Sequence, residues 1–102
     1  MNEREAINRL AAEAHSIAVA KGWWDGNRPP LEICALIHSE VSEAVEEFRK
    51  GNPKDAMVEL ADAVIRILDF AGNFQEYDFG AILVNKMQVN RTREHRHGGK
   101  LY

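Results

Sequence analysis

Four segments with helical apolar spacing, each bounded by Gly, Pro, Asn or Asp and joined by only a few residues, restrict this chain to an all-helical fold. In the first segment Ile7, Leu10, Ala11, Ala14, Ile17 and Ala18 recur at three-to-four spacing. Asn2 stands as N-cap and Gly22 as the stop, so a helix is expected over about residues 3–21. The connector Trp23-Trp24-Asp25-Gly26-Asn27-Arg28 leads to Pro29-Pro30, a pair tolerated in the first turn of a helix but not in its interior. A second helix then reaches about residue 50, where Gly51 suits a left-handed end. Asn52-Pro53 opens a third, which runs to about residue 71 ahead of Gly72-Asn73, and a fourth is expected from residue 78 or 79 to about 94. Strand signals are absent. Short connections favour antiparallel neighbours, so the expected architecture is an all-α four-helix bundle in one domain, residues 1–102.

A chain of 102 residues with 45% hydrophobic content buries one small core. The net charge of −3 argues against general nucleic-acid binding, but the charges are unevenly placed. Residues 40–62 hold seven acids and three bases, whereas residues 86–100 hold five Lys/Arg and one acid. That polarity suits a site with metal on one wall and a phosphorylated ligand on the other. The single cysteine, Cys34, makes no internal disulfide and lies in an apolar stretch, the setting of a small core residue. The N-terminus does not read as a secretory leader and no stretch approaches a membrane span, so a cytoplasmic protein with no membrane partner is expected.

Two acidic pairs carry the chemistry. Glu40-Val41-Ser42-Glu43 and Glu59-Leu60-Ala61-Asp62 each put two carboxylates on one helical face, with Cβ atoms about 5–6 Å apart. On the second helix Glu40, Glu43 and Glu47 edge an apolar face of Ile37, Val41, Ala44 and Phe48. On the third, Leu60, Ala61, Val64, Ile65, Ile67, Leu68, Phe70 and Ala71 cover about two-thirds of the circumference, so the helix is expected to be largely buried. Its remaining stripe holds Glu59, Asp62, Arg66 and Asp69, which must face a narrow solvent strip or a site lined by neighbouring helices. Four converging carboxylates repel one another unless divalent cations or protons compensate them, and oxygen-only donors suit Mg²⁺ or Mn²⁺ rather than zinc. The competing reading is a surface network in which Arg66 neutralises Asp62 at i,i+4 and Asp69 at i,i+3.

Lys86, Asn90 and Arg93 fall on one edge of the fourth helix, where a point charge, a neutral donor and a fork would together hold a polyphosphate. A solvated, base-rich helix end explains the same spacing. His97-Gly98-Gly99-Lys100 follows, a basic tail able to fold over a bound anion. Trp23 and Trp24 precede the acidic helix, where an indole either stacks on a nucleobase or caps the core. His15, taken alone, reads as a partly buried polar residue. The chain lacks a Walker-type glycine loop, Gly-x-Gly-x-x-Gly, CxxC and a nucleophile elbow. Its one Glu-x-x-His, Glu94 to His97, lies at the end of the chain, which argues against a di-iron bundle.

Glu-x-x-Glu, fifteen intervening residues and Glu-x-x-Asp together resemble the signature of the MazG-like, all-α nucleoside triphosphate pyrophosphohydrolases. Lys86-x-x-x-Asn90-x-x-Arg93 and the terminal His-Gly-Gly-Lys resemble the phosphate-binding helix and closing tail of that superfamily, and His15 and Trp24 fall where its dCTP pyrophosphatase-like members place base-pocket residues. Arg66 departs from the pattern, standing where those members carry an aromatic. The resemblance, over about residues 10–100, implies Mg²⁺-dependent hydrolysis of a (deoxy)nucleoside triphosphate to monophosphate and pyrophosphate, with dCTP-like substrates favoured, for pool control or house-cleaning. Glu40, Glu43, Glu59 and Asp62 would be the metal ligands, with Glu40 or Glu43 also accepting the water's proton. Lys86, Asn90, Arg93 and Lys100 would bind phosphate and His15 and Trp24 the base. The resemblance also implies a homodimer or dimer of dimers, in line with apolar faces wider than one such chain can cover. Two other readings are a non-catalytic helical binding or regulatory module and a pyrophosphohydrolase of another nucleotide, such as phosphoribosyl-ATP.

Overall fold

The structure is a computed structural model that describes residues 1–93. Those residues form four α-helices and no strand: α1 (Glu3–Ala20), α2 (Pro30–Arg49), α3 (Pro53–Asn73) and α4 (Phe79–Thr92). The helix starts follow local capping chemistry. The Asn2 side chain accepts the Glu5 backbone N–H at 2.9 Å, and prolines occupy the opening turns of α2 and α3, where no intrahelical donor is needed. Gly51 ends the α2 region with φ 80°, a conformation that a side chain would strain. The fourth helix stops at Thr92, so Arg93 is its C-cap rather than part of its last turn.

The central element is α3, which packs against both α1 and α2, while α4 lies on α1. Small residues set these approaches. Among the described residues, four of the five buried hydrophobic ones are Ala11, Ala44, Ala56 and Ala63, and short side chains let helix axes come close. Gly72 meets α1 directly, since a Cβ there would stand 2.6 Å from the Ala11 carbonyl oxygen. The start of α4 is tied to α1 by Asp78, which caps its own helix at the Ala81 N–H (2.9 Å) and accepts from Arg4 Nε (2.7 Å) and Asn8 Nδ2 (2.9 Å). The Arg4 and Asn8 side-chain bonds, in that order, hold Asp78 well below the usual carboxylate range.

The expectation of a largely buried third helix does not hold within one chain. Met57, Val58, Val64, Ile65 and Ile67 of α3 are exposed, as are Val41, Val45 and Phe48 of α2 and Ile82, Met87 and Val89 of α4. Two packed partners, α1 and α2, cannot cover an apolar arc that wide. Cys34, expected in the core, is exposed because the inward turn of α2 is taken by Ile33. No helix among the described residues is long and apolar enough to cross a membrane.

Candidate functional site

Side chains of α2 and α3 meet in an acidic cluster. One carboxylate oxygen each from Glu40, Glu43 and Glu59 lie within 4.8 Å of one another, Glu40 buried, Glu59 half-buried and Glu43 exposed. The i,i+3 spacing on α2 points Glu40 and Glu43 to the same side, and α3 brings Glu59 across to them. A side-chain hydrogen bond with Glu43 pushes Glu59 above the usual carboxylate range, and partial desolvation and the charges of Glu43, Asp62 and Glu40 push it further. Glu47, on the same stripe, belongs elsewhere: it accepts from Asn52 Nδ2 at 3.1 Å and faces Lys50 Nζ at 3.8 Å.

Glu40 also lines a cavity of about 370 Å³ between α1, the connector and α3. Asp62, Arg66 and Asp69 line it from α3, Trp23 from the connector and Ile17 from α1. A space of this size holds a small organic ligand. Asp62 thus shares a cavity with Glu40 and adds its charge to the cluster, while standing outside the three-carboxylate contact.

Arg66 does not pair with Asp62 and Asp69, as a purely local network along α3 would require. Its Nε donates to Glu40 Oε1 at 2.8 Å, and its guanidinium lies 4.6 Å from the centre of the Trp23 ring, a cation–π contact. Asp69 is held instead by α1 and the connector. One of its oxygens accepts from Trp24 Nε1 at 2.8 Å and lies 2.9 Å from His15 Nδ1, and the two rings meet edge-on at 5.2 Å. His15 is therefore the partly buried polar residue that its position on α1 suggested, and Trp23, not Trp24, is the indole that borders the cavity.

Sequence reasoning preferred Trp24 to Trp23 and missed the Arg66–Glu40 bond. The turn after α1 orients Trp23: Gly22 adopts φ 82° and the Trp23 N–H returns to the Ala18 carbonyl at 3.0 Å, a Schellman-type closure that the glycine alone signalled. Residues 40 and 66 are linked only by the α2–α3 crossing, for which no local spacing exists.

The basic residues are not assembled with the acids. Lys86, Asn90 and Arg93 are exposed on or just beyond α4, and α4 contributes no residue to the cavity wall. Lys100 lies outside the described residues. Set against protein-family models, curated proteins and solved structures, the chain matches none.

Proposed function

We propose that this chain is a divalent-cation-dependent nucleoside triphosphate pyrophosphohydrolase that cleaves its substrate to monophosphate and pyrophosphate. The observation that carries the reading is the three-glutamate cluster beside a ligand-sized cavity bordered by an indole and a guanidinium. The donor set fits Mg²⁺, with Mn²⁺ as substitute: three carboxylates on two packed helices, all hard oxygens, with a fourth acid close by. Glu40, Glu43 and Glu59 would hold the cation, and Asp62 would contribute from the cavity side. When bound, the cation supplies a water of lowered pKa and neutralises charge on the leaving pyrophosphate.

The chain's own residues do the rest. Glu43, the most exposed of the three, would accept a proton from water, and Glu40, bonded to Arg66, would orient the cluster. Trp23 offers a face for a base at the cavity rim, while the Asp69 bonds to His15 and Trp24 fix the wall behind it. Lys86, Asn90 and Arg93 reach the phosphates from a second copy of the chain, which the exposed apolar faces of α2, α3 and α4 would bind. Pool control or house-cleaning is the role this reading carries; the dCTP preference implied by the resemblance rests on His15 and Trp24, which bind Asp69 rather than line the cavity. Hydrolysis in ¹⁸O-labelled water tests the reaction: label in the monophosphate supports attack at the α-phosphorus, and label in pyrophosphate places attack at the β-phosphorus.

One observation favours a second reading, a non-catalytic binding module. Glu40 is already neutralised by Arg66, so part of the cluster is compensated without any metal ion. Stabilisation by Mg²⁺ without turnover of any nucleotide would select that reading.

A further inference from the structure

The Arg66–Glu40 bond gives the acidic cluster a cation of its own. Glu40 has a side chain only 11% exposed, and enclosing a carboxylate is costly unless a partner charge faces it. Arg66 supplies that partner through Nε, and its guanidinium rests against the Trp23 ring. We propose that Arg66 is the resident counter-cation of the cluster, a positioning residue that an incoming divalent cation must displace from Glu40, so that the charge at position 66 sets how tightly the cluster takes metal. The inference rests on the metal reading above.

Competition follows from electrostatics. A guanidinium bonded to one carboxylate of a three-carboxylate cluster repels any second cation drawn to the same oxygens, and a single charge next to a divalent ion shifts its dissociation constant about tenfold even in a water-like dielectric. Displacement need not expel the side chain. Arg66 lines the cavity, is 24% exposed and keeps the Trp23 face as a seat when Glu40 turns away, so the charge moves a short distance instead of being stranded. Without metal, the same bond holds α2 and α3 together where their acids would otherwise push them apart. Arg66 therefore makes the empty cluster stable at a cost in metal affinity.

Equilibrium binding of Mn²⁺ to the full chain, followed by titration calorimetry, tests this with the wild type, R66Q, R66M and R66K. The Met variant keeps a long side chain against Trp23 and serves if the Gln variant fails to fold. R66Q and R66M are expected to bind Mn²⁺ about tenfold more tightly than wild type and to melt at lower temperature without metal, while R66K, which keeps the charge, stays within about threefold of wild type. Binding by R66Q and R66M that is equal to or weaker than a measurable wild-type affinity overturns the proposal and leaves the metal reading standing. Absence of binding by all four proteins overturns both, and binding by the neutral variants alone supports displacement in its strongest form.

Discussion

Glu43 of α2 and Glu59 of α3 face each other closely enough to share a hydrogen bond, and that bond raises the pKa of Glu59. A carboxyl whose pKa is higher in the folded state stabilises the fold while protonated. Its contribution is complete below the unfolded value near about 4.3 and is lost as pH rises through the folded value. Without metal, wild-type protein is thus expected to lose stability as pH rises above the unfolded value, and E43Q to lose less. At pH 7.5, E43Q without metal should melt a few degrees above wild type, because the facing charge is gone. Mg²⁺ should raise the wild-type melting temperature at pH 7.5, raise it less at pH 5 where protons compete, and leave E43Q nearly unmoved. Thermal scans at the two pH values, with Mg²⁺ and with EDTA, check all three.

Asp69 anchors the wall behind the cavity by joining His15 and Trp24. D69A removes the acceptor for two part-buried groups and should cost about 2–3 kcal/mol in denaturant unfolding. D69N keeps one carbonyl acceptor and should cost less. Equal losses in the two variants would show that packing, not hydrogen bonding, fixes the wall.

Gly72 reverses the usual rule for glycine inside helices. Replacing such a glycine by Ala normally stabilises, but here the new Cβ would press on the Ala11 carbonyl and the His15 side chain. G72A is expected to destabilise by about 1–3 kcal/mol, as other over-packed contacts do. A stabilised G72A would mean that α1 and α3 lie farther apart than described.

Asp78 sets the acid limit of the α1–α4 contact. Its pKa is depressed by Arg4 and Asn8, so its contribution is present above the unfolded value near about 3.9 and is lost as pH falls through the lower folded value. D78N, which keeps the capping oxygen but not the charge, should flatten the fall in melting temperature below about pH 4. A wild-type slope in D78N would assign acid sensitivity to other groups.

Much of the helical layout was legible in the sequence because it is local. Asn2, Pro53, Gly22 and Gly51 act through their own backbones and neighbours, so the helix starts and stops fall within two residues of expectation. Glu40, Glu43 and Glu59 were legible for the same reason, through i,i+3 spacing on two successive helices. What was hidden depends on how helices cross. The Glu40–Arg66 bond, the turn of Trp23 toward the cavity and the docking of α4 on α1 are set by packing between segments. The apolar spacing of α3 identified its wide hydrophobic arc but not which side its neighbours would leave open, and Val64, Ile65 and Ile67 remain uncovered in the single chain.

The most direct test of the account is pyrophosphate release from a panel of ribo- and deoxyribonucleoside triphosphates, with Mg²⁺ and with EDTA, by wild type and E43Q. The account predicts Mg²⁺-dependent release of pyrophosphate and monophosphate, reduced at least about 100-fold in E43Q. Failure of every triphosphate under every metal condition, or full turnover by E43Q, would contradict it.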